Sequence, residues 1–167
     1  NRQEFSAASG IGLLYLVRML GLFMVLPVLP VSALEISGAT PFLIGLAIGI
    51  YGLSQAALQI PLGLLSDRIG RKQVIGLGLG LFIAGSLVAG IADNIHVLIL
   101  GRFMQGCGAI ASSLLALLSD LTRVDQRAKA MALVGIAIAG SFGLSLILGP
   151  LISSFFGLSG IFFLTAA

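Results

Sequence analysis

GLLSDRIGRK, residues 63–72, is the stretch that decides how this chain folds. It carries Asp67, Arg68, Arg71 and Lys72, in a protein of 167 residues with only 9 basic and 6 acidic side chains. Long apolar runs lie on both sides of it. Hydrophobic residues make up 58% of the chain and charged ones 9%, against about 45–50% and about 25% in ordinary soluble domains. So little charge cannot cover a surface facing water, and the expected surrounding is a lipid bilayer.

The apolar runs cover residues 9–31, 40–65, 74–92, 97–119 and 130–156, and a sixth begins with GLSGIFFLTAA, residues 157–167. Each complete run is long enough to cross ~30 Å of hydrocarbon at ~1.5 Å per residue. Backbone groups in lipid must pair within the protein, so these runs should be helices. A barrel needs short alternating strands, and these continuous runs do not alternate. The first run is too long for the core of a cleavable signal, and four more follow it. The single Cys107 lies inside a run, so no disulfide framework is available.

Where the charges fall gives an orientation. Arg2, Arg68, Arg71, Lys72, Arg123, Arg127 and Lys129 lie outside the runs. They occupy the N-terminus, the second-to-third connection and the fourth-to-fifth connection. The other connections hold Glu35 in the first and Asp93 and His96 in the third, with no Lys or Arg. Basic residues in alternate connections match the positive-inside bias, so the N-terminus, GLLSDRIGRK and SDLTRVDQRAK (residues 119–129) should face the cytoplasm. The net charge of +3 thus reads as topology and not as a surface for nucleic acid. Glu35 reads as a solvated residue of its connection, and His96, beside Asn94, as an interfacial or helix-start residue.

Short connections imply a compact bundle in which sequence neighbours run antiparallel. Glycines four apart, such as Gly45 with Gly49 and Gly76 with Gly80, and Gly135 with Ala139, let helix backbones approach closely. Packing is one reading of them; lining a path or permitting a bend is the other. Within the decapeptide, Gly63 allows another element to press against the end of the second run. Asp67 and Arg71 are four apart, within reach of each other on a helix. Gly70 permits a left-handed backbone between them. Lys72 sits near the start of the third run, where a positive charge is unfavourable unless topology or a partner compensates. Asp67 is an acid among basic neighbours and contributes nothing to orientation, so it should make a specific contact.

Gly63, Leu65, Asp67, Arg68, Gly70, Arg71 and Lys72 match the G-x-L-x-D-R-x-G-R-K pattern, and on these residues the chain resembles the major facilitator superfamily. Three further stretches are similar to patterns of its drug–proton antiporters. LGLFMVLPVLP, with Gly21, Pro27 and Pro30, falls in the first run. Arg102, Gln105, Gly106, Gly108 and Ala109 fall in the fourth. Gly149-Pro150 falls in the fifth, with Ser153 and Ser154 where a glycine pair is usual. The resemblance implies an all-α, polytopic transmembrane bundle that is the N-terminal six-helix half of such a fold, its sixth helix incomplete. Two inverted three-helix repeats would divide residues 1–167 at about 92/93, with the C-terminal half outside this chain. It also implies a conformational latch on the cytoplasmic side. Asp67 would meet the positive end of a helix from the other half, and Arg71 would bridge Asp67 to Asp120.

Two charges lie within the runs. Arg18 is about ten residues into the first, roughly 15 Å deep, and Arg102 is about five residues into the fourth, ~8 Å deep. A central Arg costs at least about 2.5–3.5 kcal/mol, so it should face the bundle interior or a watered cavity; snorkelling to the interface is the alternative. The first and fourth spans are equivalents in the implied repeat, which makes Arg18 and Arg102 candidates for substrate or proton coupling. Gln105 shares a face with Arg102. Tyr51, Gln55 and Gln59 run along one side of the second span, either as cavity lining or as polar glue between helices.

A secondary transporter of a bacterial inner membrane follows from the resemblance. It would export small amphipathic compounds in exchange for protons by alternating access, with the bilayer, the substrate, protons and the missing half as partners. Arg cannot exchange protons at usable pH, and Glu35 and Asp120 lie at the span ends, so the coupling acid is expected in the missing half, the alternative being an Arg that modulates a carboxylate elsewhere. No nucleophile–base pair, phosphate loop or metal cluster is legible, so no enzyme activity, cofactor or metal is expected. The alternatives are a truncated bundle inactive by itself, or a half-transporter acting as a homodimer.

Overall fold

The computed structural model describes residues 2–108 and 110–167, with side chains from Ser9 onward. Its α-helices are α1 (Arg2–Ser32), α2 (Pro41–Ile69), α3 (Arg71–Gly90), α4 (Ile95–Cys107), α5 (Ala111–Leu121) and α6 (Arg127–Ala166). Among the described residues, five stretches are long and apolar enough to cross a membrane: Ser9–Glu35, Pro41–Ile69, Arg71–Gly90, Ile95–Leu121 and Val124–Ala166. The last holds two helices end to end, because α6 breaks at Gly157 (φ 66°, ψ −171°), a conformation open mainly to glycine. The fifth and sixth apolar runs meet at this residue.

Local chemistry sets the helix ends. Thr40 caps α2 by accepting from Leu43 N at 3.2 Å, with Pro41 in the first turn. Asn94 caps α4 by accepting from Val97 N at 3.0 Å. Both caps satisfy amides that a helix start leaves unpaired.

Two expectations are corrected here. The decapeptide is not a loop: α2 runs on through Ile69 and α3 starts at Arg71, so Gly70 alone connects them, at φ 110°. The fourth run is not one helix either. It is interrupted between Cys107 and Ala111; Ala109, part of the fourth-run pattern, lies outside the described residues.

A third correction concerns glycine. At Gly45, Gly49, Gly76, Gly80 and Gly135 an added Cβ would meet nothing within 4 Å. These positions do not hold the described helices together. Other small residues do. A Cβ on Gly85 of α3 would lie 2.5 Å from Gln105 N and 2.7 Å from Gly101 O, and one on Gly101 would lie 2.6 Å from Ala89 N. A Cβ on Gly149 would lie 2.7 Å from Met24 O, and one on Gly106 would collide with Ser54 and Tyr51. Close backbone approach is what membrane helices use in place of a hydrophobic drive.

The core is split. One apolar cluster gathers Val25, Leu29, Ala47, Leu98, Ile161 and Phe162, and a second gathers Ile11, Tyr15, Ile75, Leu114, Leu118 and Val134. Arg18 lies in α1 between the Tyr15 and Met24 contributions to these two clusters. The helix ends alternate between opposite poles of the bundle. Ile95 N donates to Ser37 O at 3.1 Å, joining the first and third connections at one pole. Arg71 reaches Asp120 and joins the second and fourth at the other. Leu53, Ile60, Phe42, Ile147 and Phe155 are among the large side chains exposed on the outside, as lipid-facing surface requires.

Candidate functional site

The decapeptide forms a clasp. Gly70 turns the chain sharply enough for Arg71, in the first turn of α3, to face back along α2. Arg71 Nη1 pairs with Asp67 and donates to Ser66 Oγ at 2.9 Å, while its Nε donates to Asp120 Oδ2 at 3.1 Å. Ser66 Oγ in turn donates to Gly63 O at 2.6 Å. One guanidinium thus ties the ends of α2, α3 and α5 together; its fork suits several acceptors at once. Asp67 and Asp120 are 52% and 56% exposed, so each pair is worth about 0.2–1 kcal/mol. Gly63 lets α5 approach α2: a Cβ there would lie 3.2 Å from Ser112 Oγ, which donates to Gln59 O at 3.0 Å. Arg68 and Lys72 are exposed and take no part in the clasp.

Nearer the pole of the first and third connections lies a polar layer among α2, α3 and α4. Arg102 is 1% exposed. Its Nε donates to Ala47 O at 3.3 Å, its Nη1 to Gln105 Oε1 at 2.8 Å, and its guanidinium lies over the Tyr51 ring at 4.7 Å. Gln105 Nε2 continues the chain to Ser86 Oγ at 2.7 Å. Arg102 therefore does not snorkel. Its head is held among α2, α3 and α4, because the Gly85–Gly101 approach seals that face of α4 from lipid.

Arg18 is 4% exposed and serves the interruption of the fourth span. Its Nη2 donates to Gly108 O at 2.7 Å, and Tyr15 OH donates to Ala111 O at 2.7 Å. A helix that stops inside the membrane leaves carbonyls unpaired and a partial negative charge at its C-terminus. Arg18, a cation from α1, answers both at the Gly108 cap of α4, while the Tyr15 bond ties α1 to the first residue of α5. Arg18 also lies over the Phe82 ring at 5.2 Å, while its Nε and Nη1 stay buried without a partner. The same holds for Tyr51 Oη, Gln55 Oε1, Gln59 Oε1 and Ser113 Oγ.

The structure brings Asp67, Arg71 and Asp120 together, and separately Arg102, Gln105 and Tyr51. It does not join Gln55 and Gln59 to either group. Gly21 and Gly149 are close-packing positions: a Cβ on Gly21 would lie 2.5 Å from Thr165 Cγ2. Pro27 and Pro30 lie inside α1 and Pro150 inside α6. Sequence reasoning missed Ser66 and Ser86, and read Arg127 only as a cation that sets orientation. Ser66 lies five residues before Arg71, within reach once α2 is extended to Ile69. Arg127 Nε donates to Ser119 O at 3.2 Å and Thr122 O at 3.4 Å, placing a cation at the end of α5, where the helix dipole favours it.

Comparison with known proteins agrees with this architecture. The major facilitator superfamily model matches residues 11–167. The inner membrane transport protein YajR of Escherichia coli is 52% identical over 163 residues, 98% of this chain and 36% of its own length. Multidrug resistance protein 2 of Bacillus subtilis is 31% identical over 90% of the chain and 38% of its own length. The quinolone resistance protein NorA of Staphylococcus aureus is 32% identical over 93% and 38%. The chain thus spans well under half the length of these curated relatives, matching their N-terminal part. This protein belongs to the major facilitator superfamily of membrane transporters.

Proposed function

We propose that the full-length protein is a proton-coupled exporter of small amphipathic compounds, working by alternating access in a bacterial inner membrane with its N-terminus in the cytoplasm. The observation that carries this reading is the Arg71 clasp, which gathers the ends of α2, α3 and α5 through two half-exposed carboxylates. A contact of about 0.2–1 kcal/mol per pair can form and break in every cycle, which a buried lock could not. Asp67 keeps enough exposure to meet the N-terminus of a helix from the other half, where a carboxylate gains about 0.3–2 kcal/mol. The names of the two drug-resistance relatives support an amphipathic, drug-like substrate class.

The polar layer supplies the coupling candidates. Arg18 keeps two buried nitrogens without a partner, so a carboxylate from the other half or an acidic substrate group would be stabilised there. Arg102 and Gln105 hold that layer in place. No bond-making chemistry is proposed for any residue. The test is transport by the full-length protein in liposomes. An interior-acid pH gradient should drive ethidium uptake, and a protonophore should abolish it. Uptake that persists unchanged after the gradient collapses would refute proton coupling.

A further inference from the structure

Arg18 and Arg102 are 4% and 1% exposed, and no acid is buried with them. Among the described residues the carboxylates of Glu35, Asp67, Asp93, Asp120 and Asp125 are all exposed, at helix ends or in connections. Buried charges are normally paired, because an isolated ion gives up its hydration for nothing in return. Arg102 places its donors on Ala47 O and Gln105 Oε1. Arg18 is less satisfied: Nη2 has its acceptor, while Nε and Nη1 are buried with none.

Arg18 faces the interruption of the fourth span. Its bond to Gly108 O sets the guanidinium at the C-terminus of α4, two residues before Ile110, which precedes α5. Ile110 supplies no side-chain cap, and Leu114 N bonds to Ile110 O at 2.9 Å to start the helix. The amides of Ala111, Ser112 and Ser113 therefore point out of the end of α5, the arrangement that binds anions. The interruption is firmly seated: a Cβ on Gly108 would collide with Gly78 O, and one on Gly78 with Ile110. Here the negative end of α4 and the positive end of α5, roughly half a charge each, cancel. The full charge of Arg18 is left without an opposite. Tyr51 Oη, another buried group without a partner, lies within electrostatic reach of both Arg18 and Arg102.

We infer that a small monovalent anion from solution, of the size of chloride, binds at this interruption between the Arg18 guanidinium and the N-terminus of α5. The Tyr51 hydroxyl is a further donor to it. Arg18 is already enclosed within this half of the protein, which favours a free ion over a side chain carried on another backbone. The inference narrows the occupant of the Arg18 nitrogens in the proposed transporter and rests on that role of Arg18. It does not rest on proton coupling or drug efflux.

The experiment follows the thermal midpoint of the purified full-length protein in detergent, at fixed pH and ionic strength, as sodium chloride replaces sodium gluconate. A ligand bound only by the folded state raises the midpoint as its concentration rises. Chloride and bromide should each do so along a saturating curve. Arg18→Met should melt lower and lose the response, while Lys72→Met, which removes an exposed cation, should keep it. If Arg18→Met does not fold, Arg18→Lys decides, and its half-saturating chloride concentration should move upward. In crystals soaked with bromide, the anomalous peak should lie against Arg18 and Ala111. A midpoint indifferent to chloride in the unmodified protein overturns the inference, and so does a carboxylate of the other half seated on Arg18. An unchanged chloride response in both Arg18 variants, or a bromide peak only elsewhere, places the ion at another site and also overturns it. No pH gradient is applied, so a flat chloride response leaves proton-driven transport untouched, and failed transport leaves the chloride curve standing.

Discussion

Arg102 holds three helices through one side chain, and its removal has a calculable consequence. Arg102→Met strands Gln105 Oε1, which now accepts from Arg102 at 2.8 Å. A buried acceptor left unpaired costs about 1–3 kcal/mol. The full-length variant should unfold at a lower temperature in detergent, and adding Gln105→Met should cost less than the separate losses imply, because the orphan disappears. Strict additivity in a thermal-melt double-mutant cycle would show that the two side chains are not coupled. The depth of Arg102 was legible from its place in the fourth run, but its direction was not. Sequence distance from a span end cannot say which face of a helix is sealed; the Gly85–Gly101 approach does that, and it appears only when α3 and α4 are packed. Arg18 shows the same limit. Its burial followed from its position, while its partner, Gly108 O, exists as a free acceptor only because the fourth span is interrupted.

At the scale of the elements, helix existence was written plainly in the apolar runs, and helix ends in Thr40, Asn94, Gly70 and Gly157. The interruption between α4 and α5 was not. Apolar character does not change across residues 106–111, so hydropathy cannot see it. The Gly106–Gly108 pair, opposite an Arg and a Tyr donor in α1, was the available signal. Glycine spacing also misled, because pairs four apart mark any open face as readily as a contact. The contact at α3 and α4 is reciprocal, each glycine facing the other's backbone. Gly85→Ala and Gly101→Ala should each cost about 1–3 kcal/mol by overpacking. The double variant should cost less than their sum, since either methyl already forces the helices apart. Full stability of Gly85→Ala in a thermal melt would contradict the packing described.

For the whole molecule, charge position gave a complete ordering of connections, and the structure places the first and third at one pole and the second and fourth at the other. Which pole faces the cytoplasm is testable directly. In intact cells, single cysteines at Glu35 and Asp93 should react with an impermeant maleimide, and those at Lys72 and Arg127 should react only after permeabilisation. The reverse pattern would invert the proposed orientation. The clasp is the claim on which the transport account turns. Asp67 was legible because it stood out among cations, the bridge to Asp120 came only through the family resemblance, and Ser66 escaped notice because the stretch reads as a loop until α2 is extended through it. The most direct test is the alkylation rate of a cysteine at Ser113, buried in α5, in the full-length protein with and without Asp67→Asn. Losing a half-exposed pair of up to about 1 kcal/mol shifts an opening equilibrium by up to roughly fivefold. The account predicts labelling about two- to fivefold faster in Asp67→Asn, and equal rates in the two proteins would contradict it.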